Sequence, residues 1–285
     1  MDDWCAEEVR LTGMQRAEFA RAARLLLAIG AIQCLIALTA VIAVYVGDDI
    51  GAYIVATASL FLTIAWAMIA LRYRGSRDRA ERARRASLLV EGLGLQLRPN
   101  ERLQRETDFS VSSAAGKANE DPAYYATRAS RGAERLVEML EESAFWSSQL
   151  MRHSKTFTTI MFGILGLVTI AAIVGLVPVA MPTRLSAVRA IAAAFSVVVV
   201  ADMFGALISF DRAQRRLDQL LLRLDAVTKR DALSPEIVAV LTEYNSTVEG
   251  APMFPPGIYE RHQECINRLW AERRSRTKSR SHASA

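Results

Sequence analysis

Cysteine and histidine are scarce in this sequence, and their scarcity excludes several classes of protein. The chain has three of each. Cys5, Cys34 and Cys265 are too few and too widely spaced to form a disulfide framework. These residues also lack the paired spacing that a zinc site needs. We therefore expect no metal and no cofactor.

The short motifs that commonly mark catalytic sites are missing as well. The sequence contains no phosphate-binding GxxxxGK[ST], no dinucleotide-binding GxGxxG, no GxSxG and no HExxH. The histidines, at His153, His262 and His282, are too dispersed to suggest a catalytic triad or a metal-dependent hydrolase. We therefore expect a protein that is not an enzyme.

Charge is missing from long stretches of the chain. The apolar blocks 25–46 and 52–71 contain no charged residue, and each is long enough to cross a bilayer as a helix. Blocks 157–177 and 187–210 are similar, although the last contains Arg189 near its start and Asp202 deep inside. Spans of this kind are helical because lipid offers no partner to backbone polar groups. The pattern predicts an all-α membrane protein with four transmembrane helices.

Short turns between the blocks predict two hairpins. Only residues 47–51 separate the first pair, and the prolines Pro178 and Pro182 end the third block just before the fourth. Lys and Arg concentrate on the cytoplasmic side of membrane proteins. We therefore expect both termini and the segment between the hairpins to be cytoplasmic. The arginines on which this orientation rests are Arg72, Arg74, Arg77, Arg79, Arg82, Arg84, Arg85, Arg212, Arg215, Arg216 and Arg223.

The blocks divide the chain into segments with different expected roles. Amphipathic stripes predict that both spans of the second hairpin extend into the cytoplasm as helices, packed on each other or on another chain. The sharpest stripe is a heptad seam at Phe210, Ala213, Leu217, Leu220, Leu224 and Val227. The predicted segments are a cytoplasmic N-terminal segment at 1–24, the first transmembrane hairpin at 25–71, a cytoplasmic helical region at 72–156, the second hairpin at 157–210, a cytoplasmic helical region at 211–273 and a disordered basic tail at 274–285.

Asp202 lies deep in the fourth block, where inserting a carboxylate costs about 2.5–3.5 kcal/mol. Such a group faces protein or water. One interpretation places Asp202 and Ser209, on the same side of the helix, along a pore or ion path between subunits of a homo-oligomer. The other has Asp202 hydrogen-bonded inside a single bundle. Ala201 and Gly205 form a neighbouring ridge of small residues suited to close helix packing.

Two motifs resemble a known family. The stretch DPAYYATRASRGAERLVEMLEESAFWSSQLMRH precedes the third block, and PPGIYERHQECINRLWAERR lies near the C-terminus. Both motifs and the two-hairpin layout are similar to those of the SMODS-associated four-transmembrane effectors, which are regarded as pore formers in bacterial antiphage defence. The positions that we interpret as a cytoplasmic anchor motif are Phe145, Trp146, Tyr259, His262 and Trp270.

The resemblance implies an effector of the bacterial inner membrane that a cyclic oligonucleotide gates and that disrupts the membrane or forms a pore. Candidate ligand contacts are Tyr124, Tyr125, Arg128, Arg131 and Arg135. The arginine run at 72–85 is suited to anionic lipid headgroups or to a phosphate-bearing ligand, and it lacks the interleaved aromatics typical of nucleic-acid binding. The alternative is a membrane-anchored scaffold or sensor that recruits a protein partner.

Overall fold

The computed structural model describes residues 3–46, 48–175, 187–188, 190–191, 203–226 and 234–283. Within these ranges all regular structure is helical, which confirms the predicted all-α class. The helices are α1 (Asp3–Tyr45), α2 (Asp49–Leu93), α3 (Pro99–Asp108), α4 (Ser113–Lys117), α5 (Ala133–Gly175), α6 (Met203–Ala226), α7 (Pro235–Gly250) and α8 (Ile258–Ala283).

The chain divides into two compact units. The core unit comprises Met1–Arg21, Ser76–Ser154 and Ser209–Ala285, and the apolar unit comprises Ala22–Gly75 and Lys155–Ile208. Helices α1, α2, α5 and α6 therefore contribute residues to both units. Nearly all fully buried large side chains belong to the core unit.

Among the described residues, three helices are long and apolar enough to cross a membrane. The candidate spans lie within Val9–Tyr45, Asp49–Leu93 and Ala133–Ala171. Large apolar side chains along them are exposed, among them Phe61, Leu60 and Leu167. An apolar surface of this extent needs a non-aqueous partner, so the three helices indicate a membrane protein. The fourth predicted span, 187–210, lies mostly outside the described residues.

The turn between α1 and α2 is built around Asp48. Its carboxylate accepts a hydrogen bond from the backbone N–H of Gly51 at 2.7 Å, and its carbonyl accepts one from Ala52 at 3.1 Å. Asp48 thus caps the first turn of α2. Further along, the hydroxyl of Ser59 donates to that of Thr39 at 3.1 Å, which joins α2 to α1 inside the apolar unit.

The predicted apolar stripes contribute to the interior of the core unit. Leu136 and Leu140 of α5 and Leu217 and Leu220 of α6 are almost completely buried, as are the other described members of the heptad seam. Val227 lies outside the described residues. The hydroxyl of Ser148 on α5 donates to Asp218 on α6 at 2.5 Å, so these two helices pack within one chain.

The C-terminal segment differs from its prediction. We expected disorder over 274–285, but α8 continues to Ala283, so that prediction is wrong for most of the segment. A basic composition resembles a solvated tail, yet Arg274, the first arginine of this segment, and Arg273 just before it both have partners in the core unit. The guanidinium of Arg273 donates to Glu141 at 3.0 Å and to Asp225 at 2.7 Å, and that of Arg274 donates to the carbonyl of Ala126 at 3.1 Å.

Glycine allows α1 to approach α4 closely. A Cβ added at Gly13 would lie 2.5 Å from the carbonyl oxygen of Gly116 and 2.9 Å from Cγ of Glu120. The carbonyl is backbone and cannot rotate away. The close contact between α1 and α4 therefore requires glycine at position 13.

We expect Gly13→Ala to destabilise the protein despite the better helix propensity of alanine. Overpacking costs about 1–3 kcal/mol, and the propensity gain returns at most about 1 kcal/mol. Urea unfolding of the detergent-solubilised full chain measures the difference. Gly250→Ala is the matched control, because no atom lies within 4 Å of its added Cβ. Equal stability of the two variants would contradict the assigned contact.

Candidate functional site

The loop between α4 and α5 carries a pair of tyrosines. The rings of Tyr124 and Tyr125 meet edge to face with centroids 4.8 Å apart. The guanidinium of Arg16 lies 5.9 Å from the centre of the Tyr124 ring and 3.6 Å from Asp121. The rings are partly exposed. Burial of the hydroxyls raises the pKa of Tyr124 to about 12 and the pKa of Tyr125 well above its usual value. Both hydroxyls therefore stay neutral.

A buried arginine joins α2 to α7. Arg84 donates from Nη1 to the hydroxyl of Tyr244 at 3.1 Å, and its guanidinium carbon lies 5.0 Å from the centre of that ring. Nη2 lies 2.9 Å from Glu81 and 3.8 Å from Glu249. Burial raises the pKa of Glu81, and Arg84 opposes that shift. The hydroxyl of Ser147 on α5 lies 3.5 Å from the hydroxyl of Tyr244 and extends the network to a third helix.

Pairs of aromatic rings pack α8 against α5. Phe145 packs against Trp270 with centroids 5.4 Å apart, and Trp146 packs against Tyr259 at 5.7 Å. A third pair consists of His262 and a residue that the sequence did not single out, His153. The five residues of the predicted anchor motif thus lie together at one interface.

The predicted ligand contacts fall into two groups. Tyr124 and Tyr125 touch each other, but Arg135 is committed elsewhere, since its guanidinium donates to the carboxylate of Glu91 at 2.7 Å. Arg131 packs its alkyl stem over Gly94, where an added Cβ would lie 3.0 Å from Cδ of the arginine. Arg128 is exposed and makes no hydrogen bond or ion pair with any described residue. Of the three arginines, Arg128 is therefore the one that is best placed to receive an anion.

The predicted pore residues are described only in part. Asp202 and Ala201 lie outside the described residues. Gly205 and Ser209 stand one turn apart on α6, both partly exposed. The pore interpretation of Asp202 and Ser209 stays a prediction.

Sequence reasoning missed two buried acidic groups. Glu18, which is completely buried, accepts hydrogen bonds from the hydroxyl of Ser76 and from the backbone N–H of Ser110 and lies 3.5 Å from Arg79. No periodic pattern in the sequence identifies Glu18 as a buried residue. Glu81 has one, because Arg84 follows it by three residues on the same helix face. Over the described residues, no group of three His, Cys, Asp or Glu could hold a metal ion.

These observations define the class of the protein. Over the part of the chain that the structure describes, the protein is all-helical, three of its helices are suited to a membrane, and its core unit contains buried ion pairs and stacked rings. No family model matches the chain, and no similar curated protein or solved structure was found. Its function is therefore argued from the residues themselves.

Proposed function

We propose that the chain is a multi-pass inner-membrane protein with four transmembrane helices in two hairpins, and with both termini and the core unit in the cytoplasm. In this proposal it is a non-enzymatic effector. A cyclic oligonucleotide binds the core unit, and a homo-oligomer then disrupts the membrane or forms a pore. The resemblance to the antiphage effectors supports this role.

The membrane assignment is supported by surface chemistry. None of the most apolar stretch of α1 or α2 is buried inside the protein. The block 187–210 has the composition of a fourth span. Arginines follow the apolar part of α2 at once, with Arg72, Arg74 and Arg77 close together. By the positive-inside rule these arginines favour a cytoplasmic core unit.

The loop between α4 and α5, which contains Tyr124, Tyr125 and Arg128, has the types of side chain that an oligonucleotide-binding site requires. Tyr124 and Tyr125, both partly exposed, can stack on bases, and the exposed guanidinium of Arg128, which pairs with none of the described residues, can bind a phosphate. The phosphate contact is assigned to Arg128 rather than to Arg135, because Glu91 already neutralises Arg135.

One observation carries the proposal: α5 is continuous over Ala133–Gly175. Its first part holds Phe145 and Trp146 at the α8 interface, and its later part supplies a candidate membrane span. A ligand that alters packing around the first part therefore acts on a helix that also crosses the bilayer. It opens the assembly only if it binds the open state more tightly. To change the ratio of open to closed assemblies from 1:99 to 99:1, the ligand must bind the open state about 10⁴-fold more tightly than the closed state.

Dye release from liposomes tests the proposal. The full chain is reconstituted with an encapsulated dye and exposed to a panel of cyclic di- and trinucleotides. At least one compound is expected to cause release. We expect Arg128→Glu to raise the concentration for half-maximal release at least about tenfold, because a charge-assisted hydrogen bond contributes about 1.5–3 kcal/mol.

Arg276→Glu is the control, since it makes the same charge change at an exposed position on α8. It is expected to leave the dose response unchanged. Liposomes that stay sealed with every compound would contradict gating by a cyclic oligonucleotide. An unchanged response of Arg128→Glu would contradict the assigned site.

A second candidate function is a membrane-anchored scaffold or sensor that recruits a protein. It is favoured by apolar side chains exposed on the core unit, namely Leu222 at 71% and Leu103 at 63% of their surface. Sealed liposomes combined with loss of partner capture in Leu222→Asp would support this function over the first.

A further inference from the structure

His153 of α5 and His262 of α8 lie face to face. Their ring centroids are 3.7 Å apart and their planes differ by 9°. Both side chains are partly exposed, so protons reach them from solvent. Neutral imidazoles stack as other aromatic rings do, whereas two imidazolium ions at this separation repel each other. The geometry is therefore compatible with at most one charge on the pair.

The surroundings of the pair do not offset a second charge. From α5, Arg152 adds a positive charge beside His153, and from α8 the facing titratable group is His262. On α6, Asp218 lies 4.0 Å from Arg152 and accepts a hydrogen bond from Ser148. Neither histidine forms an ion pair with a carboxylate of the described residues. A second proton would therefore be uncompensated.

We propose that the His153–His262 stack makes the docking of α8 onto α5 sensitive to acid. The stack holds while at most one ring is charged, and it separates when both rings are protonated. The proposal concerns regulation of the core unit and does not depend on the identity of any ligand.

The direction of the pH effect follows from proton linkage. Burial, and then the charges of His262 and Arg152, lower the pKa of His153. The docked state thus binds a proton more weakly than the undocked state, in which the histidine has a pKa of about 6.5. Docking is fully stable above about pH 6.5 and weakens as the pH falls below that value.

The other contacts of α8 determine where it separates. Tyr259 lies one turn before His262, and its ring packs on Trp146. Further along α8, Arg273 pairs with Glu141 and Asp225, and these ion pairs do not involve either histidine. Acid is therefore expected to loosen the N-terminal half of α8 first.

Hydrogen exchange of the detergent-solubilised full chain at about pH 8 and about pH 5 tests the proposal, with rates corrected for intrinsic exchange. Protection of amides 258–266 is expected to fall at least about tenfold on acidification. The amides of α7 are expected to keep their protection. Unchanged protection of 258–266 at about pH 5 would overturn the proposal.

His153→Phe keeps a stacked ring but cannot be protonated, so its α8 is expected to stay protected at both pH values. His262→Phe makes the reciprocal change and gives the same comparison if the first variant alters folding. His282→Phe, near the end of α8, is the control and is expected to retain the acid response. A phenylalanine variant that loses protection as the wild type does would also overturn the proposal.

Discussion

Leu217→Ala is expected to lower the free energy of unfolding of the core unit by about 2–5 kcal/mol. Leu217 has no exposed surface and lies in the middle of the α6 seam. Truncation removes its apolar contacts and leaves a cavity that the neighbouring helices fill only in part. Urea unfolding of the detergent-solubilised full chain, followed by tryptophan fluorescence, gives the change directly.

Leu222→Ala is the matched control on the same helix. Its side chain is 71% exposed, so the same truncation is expected to change stability by no more than about 0.5 kcal/mol. If the two variants were equally stable, α6 would not pack through the face that contains Leu217. The heptad seam would then have another role.

Arg84→Ala is expected to cost about 3–5 kcal/mol, because it leaves the buried carboxylate of Glu81 without its closest positive partner. The phenol of Tyr244 also loses its hydrogen-bond donor. Burial already raises the pKa of Glu81, and removing Arg84 raises it further. Protonating Glu81 relieves the unpaired charge, so the penalty is expected to shrink as the pH falls through the raised pKa.

Arg85→Ala provides the comparison at the next position. The side chain of Arg85 is half exposed, and its Nε lies 3.1 Å from the carboxylate of Glu249, which also faces Arg84. An exposed ion pair contributes at most about 1 kcal/mol, so this variant is expected to be close to wild type. Equal losses of stability from Arg84→Ala and Arg85→Ala would show that the burial of Arg84 does not increase its contribution to stability.

Much of the fold was predictable because lipid and water sort residues along the chain. The apolar stretches of α1 and α2 contain no charge, and the α6 seam repeats at the heptad period. Both signals are local, so a window of about 20 residues is enough to detect them. The candidate spans in α1 and α2 and the buried face of α6 follow from such windows.

The contacts of the core unit were not predictable in this way. Arg84 and Tyr244 are 160 residues apart, and Glu18 and Ser110 are 92 residues apart. Periodicity carries no information on such pairs. Arg135 illustrates the consequence, since it was predicted to contact a ligand but pairs with Glu91, 44 residues away. Asp202, the fourth span and the gating ligand stay predictions.

The central claim is that the apolar helices cross the bilayer while the core unit remains in the cytoplasm. Its most direct test is labelling by a membrane-impermeant maleimide in intact cells, with the three native cysteines replaced. A cysteine in place of Asp49, the first residue of α2, is expected to react at once. A cysteine at Arg128 is expected to react only after the inner membrane is opened. Reaction of both positions in intact cells, or recovery of the protein in the soluble fraction, would contradict the account.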